Sequence, residues 1–114
     1  MYKSDIEHSK ILDNFDSSSV KNLEIRLLLG EEAGSENYLM RYFKLGKDGH
    51  TPLHRHDWEH LNFFVKGKGV VYVDGKEYEV KPGDAVRIAP NELHQYKNAG
   101  EGSFEFICLI PAKR

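Results

Sequence analysis

From about residue 21 onward, apolar residues gather in short runs, and each run is closed by Gly, Pro, Asn or Asp. The pattern predicts a series of short strands. Leu23 to Leu29 is the first, closed by Gly30 and the loop EEAGSE, and Tyr38 to Leu45 is the second, ended by GKDGHTP. His60 to Val65 follows, with KGKG (66–69) as a tight turn. Gly69 to Val73 and Lys76 to Val80 flank Asp74-Gly75, a pair that favours a two-residue hairpin because both residues tolerate positive φ. Lys81-Pro82-Gly83-Asp84 turns the chain into Ala85 to Ala89 and then His94 to Asn98, and Phe104 to Ile110 is stopped by Pro111. No long stretch repeats its apolar positions with the helical period, so the expected fold class is all-β, a sandwich or small barrel. Residues 1–20 are polar, and DNFDSSS (13–19) reads as a loop, so the domain is expected over 21–114 behind a loosely held N-terminal arm.

At 114 residues the chain favours one domain, with a core modest enough that association would help it. Sixteen basic and eighteen acidic residues are spread along it for a net charge of -2, which leaves no nucleic-acid footprint and no membrane-binding patch. No apolar run is long enough to span a bilayer, and MYKSDIEHSK lacks the apolar stretch of a signal peptide. The single cysteine, Cys108, excludes an internal disulfide framework and suits a reducing cytoplasm. The expectation is a cytoplasmic domain whose partner is a small molecule.

HRHDWEH, residues 54–60, adds chemistry to this picture by placing three of six histidines within seven residues. Residues two apart in an extended chain share a face. His54, His56 and His60 therefore lie together, and Glu59 points the other way. His94 alternates with Gln95 and Lys97, both suited to water, so His94 and Tyr96 turn inward and His94 becomes the fourth ligand candidate. Imidazole is the commonest metal ligand, and three imidazoles crowded without a metal would repel on protonation. His8 and His50 are read as solvated loop residues. Asp57 and Glu59 are either partners that orient the imidazoles or solvated side chains.

HRHDWEH with LNFFVKG, followed by PGDAVRIAPNELHQYKN, resembles the two motifs of the cupin superfamily, whose members are small double-stranded β-helix (jelly-roll) barrels. His54, His56, His60 and Gly67 occupy the His, His, Glu and Gly places of the first motif, while Gly83, His94 and Asn98 fit the second. The sequence departs from the motifs in three ways. Gly49 stands one residue closer to His54 than the leading glycine would. Ala89 and Asn91 replace a Pro and a Gly, which Pro90 and the readiness of Asn to adopt left-handed backbone make tolerable. His60 stands where glutamate is usual, and in this the chain is similar to small four-histidine cupins, as is its closing FICLIP segment. That resemblance implies a divalent ion, manganese first, with Fe, Ni, Cu or Zn as alternatives. Four neutral ligands would leave two formal positive charges on the ion, where a glutamate would leave one. Octahedral coordination would keep two positions open for substrate or dioxygen.

Strand parity sketches the surrounding pocket. Asn62 continues the His60 face and Tyr96 the His94 face, and the resemblance adds Phe106, Cys108 and Ile110 as lining. Arg41 either faces solvent or reaches inward as an anion anchor. Three functions fit these residues: a metal-dependent oxygenase acting on a small organic molecule; a non-oxidative Lewis-acid isomerase, epimerase or decarboxylase; and a metal-dependent binding module. A homodimer is also expected, because the half-apolar face of Leu61, Phe63 and Val65 needs cover and residues 23–29 could join a partner's sheet.

Overall fold

Nine strands pair into one curled antiparallel sheet in the computed structural model, which describes residues 1–114. They are β1 (Lys10–Leu12), β2 (Lys21–Leu29), β3 (Tyr38–His50), β4 (His60–Lys66), β5 (Gly69–Val73), β6 (Lys76–Val80), β7 (Ala85–Ile88), β8 (His94–Asn98) and β9 (Phe104–Pro111). The order is β6-β5-β8-β3-β9-β4-β7, with β2 also on β3 and β1 on β2. The architecture is an all-β jelly roll, the expected fold class. Strands β5, β6 and β8 have the ends the sequence predicts, because their turns carry the chemistry they need. Asp74 and Gly75 both take positive φ, 46° and 91°, and close the β5–β6 hairpin.

Two segments differ from expectation. The polar arm contains β1, whose Lys10, Ile11 and Leu12 pair with Leu27, Arg26 and Ile25. Arg26 fixes this segment further by donating from Nη1 to the Ser9 carbonyl at 3.0 Å. This strand covers the outer edge of β2 at Ile25–Leu27, the edge expected to be free for a partner's sheet. The second difference is GKDG, which bends β3 without ending it. Asn22 Nδ2 donates to the Lys47 carbonyl at 2.8 Å, Asp48 takes φ 58°, and β3 runs on to pair His50 with Lys97 of β8. His50 is consequently a half-buried strand residue, its Nδ1 3.3 Å from Gln95 Nε2, while His8 is exposed beside Asp5 as a solvated residue would be.

Strand alternation builds the interior. On β9 Phe104, Phe106, Cys108 and Ile110 are all buried, and they meet Phe43 and Leu45 of β3, Phe64 of β4, Val71 of β5 and Tyr96 of β8. Phe106 is the hub, with the rings of Tyr96, Phe43, Phe64 and Phe104 at 4.7, 5.0, 5.2 and 5.3 Å. This aromatic packing closes one end of the barrel. Gly67 permits the closure: at φ 81°, a Cβ there would stand 2.1 Å from the Ser103 carbonyl oxygen. Asn98 ties the same end by donating from Nδ2 to the carbonyls of Leu45, Gly46 and Gly102. On the outer face of β4, Phe63 is 49% and Val65 42% exposed.

Candidate metal centre

The other end of the barrel carries the histidines, and backbone hydrogen bonds place them. Residues 51–56 run along β8. Thr51 N donates to the Tyr96 carbonyl at 3.0 Å and Thr51 Oγ1 accepts from Tyr96 N at 2.9 Å. His54 and His94 then exchange both of their backbone bonds, at 3.1 and 2.9 Å. Asn91 N donates to the His56 carbonyl at 2.7 Å from a left-handed residue of φ 68°, the conformation for which Asn can replace glycine. The chain bends at Asp57–Trp58 before β4 begins at His60, so the shared face of His56 and His60 survives a break in the strand.

One ligand atom from each of His54, His56, His60 and His94 lies within 4.8 Å of the others. The four grade from mouth to depth: His54 is exposed, His56 half-buried, His60 5% exposed and His94 1% exposed. Three have their outer nitrogens engaged. His56 Nδ1 faces the Trp58 carbonyl at 3.0 Å and His94 Nδ1 faces the Glu92 carbonyl at 2.8 Å. A neutral imidazole facing a carbonyl carries its proton there, which leaves Nε2 as a lone pair. His60 Nδ1 is 2.9 Å from Cys108 Sγ, which also accepts from Arg41 Nη2 at 3.3 Å.

Inside the cluster His56 Nε2 and His60 Nε2 are 2.8 Å apart, and His94 Nε2 is buried with no hydrogen-bond partner. A buried acceptor with no partner is costly unless something fills the space it faces. Desolvation is the largest influence holding each imidazole below its ordinary value of 6.5, including His54, which is crowded by its neighbours although the residue as a whole is exposed: His54 falls to about 4 and His60 to about 2, and His56 and His94 are also lowered. Neighbouring imidazoles and the Arg41 charge push His54, His56 and His60 further the same way. The four are neutral near pH 7, the state in which imidazole binds a metal. Orphaned acceptor, convergent nitrogens and fixed tautomers together fit a divalent ion.

A cavity of about 290 Å³ opens over the cluster. Arg41, Tyr96 and Ile110 line it, together with the four histidines. Arg41 thus takes the inward alternative, on the β3 face of Leu39 and Phe43. Asn62, Phe106 and Cys108 are buried beneath the cavity and are not part of its wall. Asn62 accepts from the Tyr96 hydroxyl and donates to the Ile107 carbonyl, so its polar atoms are used within the fold. Glu59 pairs with Arg87 at 2.6 Å and Asp57 is exposed; neither touches an imidazole. Two carbonyls and the Cys108 sulfur face the outer nitrogens instead.

Sequence reasoning missed several residues of this wall. Trp58 stacks on His56 with ring centroids 4.1 Å apart and planes 4° from parallel. Arg114 reaches back over Trp58, 5.4 Å from the ring centre. Leu12 and Phe15 close the cavity from the N-terminal segment, where the apolar residues of an otherwise polar run were the available signal.

Residues 41–110 match the family model described as the Cupin domain. Among curated proteins, the chain is 33% identical over 75 residues to 1-methylthio-D-xylulose 5-phosphate methylsulfurylase of Rhodospirillum rubrum, covering 66% of this chain and 48% of that protein. It is 30% identical over 90 residues to an oxalate-binding protein of Thermotoga maritima, covering 77% and 74%. The chain therefore spans about half the length of the first of these relatives. In structure it superimposes on the polyketide cyclase RemF from Streptomyces resistomycificus with a TM-score of 0.89, at 24% identity, covering 100% of this chain and 81% of that one. At that identity the likeness speaks for the fold.

Proposed function

The chain belongs to the cupin family, and on that premise we propose that His54, His56, His60 and His94 hold a divalent ion at the centre of a metal-dependent oxygenase acting on a small organic molecule. The observation that carries this reading is the buried, unpartnered Nε2 of His94 in a cluster whose other imidazoles point their nitrogens at the same space. By resemblance the ion is manganese. The donor set suits imidazole-binding metals generally, so the ion in the cell depends on supply. When bound, the ion supplies a Lewis acid of high residual charge with positions left for substrate or dioxygen.

The chain's own residues do the rest. The Trp58 and Glu92 carbonyls hold two imidazoles in the binding tautomer, and Cys108 supports His60 from behind. The apolar wall of Phe15, Leu23, Ile25 and Leu39 keeps water away from one side of the cavity. Tyr96, its hydroxyl held by Asn62 and its pKa raised by burial, stays neutral and positions the floor.

The similarity to an oxalate-binding protein favours one second reading, a module that binds a small molecule through the ion without turnover. The test uses protein stripped with chelator and reloaded with manganese, iron or zinc, assayed against small diketones, phenols and alkenes with and without dioxygen. Oxygen-dependent turnover with manganese or iron, and none with zinc, is the expected result. Turnover with zinc undiminished without dioxygen would replace it with Lewis-acid isomerisation, epimerisation or decarboxylation. Saturable binding with no turnover under any condition would leave the binding module.

A further inference from the structure

Arg41 has no carboxylate partner. Its Nη2 donates to the Cys108 sulfur, its Cζ lies 4.9 Å over the Phe43 ring, and its Nε is buried with no partner at all. A buried guanidinium nitrogen left this way is unfavourable unless a ligand completes it. The surroundings do not compensate the charge. None of the side chains lining the cavity is an Asp or Glu, and a second arginine, Arg114, stands in the same wall. Burial and the Arg41 charge both lower the pKa of Arg114, which is how two cations sharing a cavity behave. The four imidazoles are neutral, and an ion among them would add only positive charge.

Most of the remaining wall is apolar, with Asn14 and Thr51 as its polar exceptions, and the space is small. Phe15, Leu23, Ile25 and Leu39 line the same space as Arg41 and the cluster, about 290 Å³, at the lower end of the range for ligand pockets. The guanidinium fork matches a carboxylate in a two-point hydrogen bond, and a mostly apolar wall offers few partners to a sugar's many hydroxyls. We infer that the substrate is a small organic carboxylate, its oxygens held by Arg41 and its apolar body against Phe15, Leu23, Ile25 and Leu39, with the reacting end toward the histidines. This rests on the metal-site reading for the direction of the reacting end, and on Arg41 alone for the charge of the ligand.

Trp58, the chain's one tryptophan, lines the cavity and reports binding by its fluorescence. Manganese-loaded protein is titrated with benzoate, phenylacetate and 3-methylbutanoate, each beside its neutral amide, and the series is repeated after chelator treatment. At least one acid should bind saturably and at least tenfold more tightly than its amide. Arg41→Gln should remove that preference while metal content, measured on the same samples, stays at the wild-type level, and Arg41→Lys should fall between the two. Amides that bind as well as the acids, the absence of binding by all three acids, or an Arg41→Gln protein with wild-type affinity for the acids would overturn the inference. A preference for the acids that survives in protein unable to take up metal would support it while refuting the metal-site reading. Absence of the preference in wild-type protein with full metal content would do the reverse.

Discussion

Phe64, Phe106 and Leu45 stand on the same strand faces as His60, Cys108 and Arg41, four, two and four residues away along β4, β9 and β3. At the closed end these positions hold aromatic and aliphatic side chains with no polar atom to satisfy. At the open end the same faces present imidazoles, a thiol and a guanidinium, two of whose buried nitrogens lack partners. Parity therefore decides which residues face inward, and depth along the strand decides what they are for. The end that obeys packing rules holds the fold together, and the end that violates them holds the site.

The largest expected effect breaks the closed end. Phe106→Ala removes the ring at the centre of four others and should cost about 3–5 kcal/mol in urea unfolding, with metal content per folded molecule unchanged. A cost below about 1 kcal/mol would place the source of stability elsewhere. Cys108→Ala acts at the border between the two ends. Loss of the sulfur behind His60 Nδ1 should lower metal affinity by about 10–100-fold in competition with a chelator, the usual consequence of removing a ligand's orienting partner. An unchanged affinity would reduce Cys108 to packing.

A smaller effect is titrated rather than mutated. Each imidazole of the cluster has its folded pKa below 6.5, so the unfolded chain takes up the proton first. The metal-free protein should keep its full melting temperature above about pH 6.5 and lose stability as pH falls from 6.5 toward 4, where His54 titrates in the fold. His60→Ala should make that fall shallower. A wild-type melting temperature flat from 6.5 down to 4 would contradict the burial of the cluster. The smallest effect concerns the outside of the closed end. We expect a homodimer that covers Phe63 and Val65, so light scattering should give twice the chain mass, and Phe63→Lys should shift it toward monomer without moving metal content. A wild-type monomer at micromolar concentration would refute that arrangement.

Much of this was legible in the residues. Strands β5, β6 and β8 could be read because alternation and turn chemistry are local, and the four histidines could be read because parity and motif spacing agree. The three residues of β1 could not, since Lys10 to Leu12 become a strand only through pairing with β2. Arg41 was ambiguous because both its neighbours, Met40 and Tyr42, are apolar, and only the curl of β3 between β2 and β9 decides which side is inside. Cys108 behind His60 depends on the β4–β9 register, which pairs Asn62 with Cys108 and appears nowhere in the linear order. The Glu92 carbonyl behind His94 and the Trp58 carbonyl behind His56 are backbone atoms, invisible to any search for conspicuous side chains.

In the proposed metal centre four histidines, and no carboxylate, hold the divalent ion. Elemental analysis of protein purified without a histidine tag, set beside His60→Ala prepared identically, tests it most directly. The wild type should carry a stoichiometric divalent ion, and the variant should lose it. Metal content that is unchanged without His60, or a wild type that takes up no divalent ion even when manganese, iron and zinc are supplied, would contradict it.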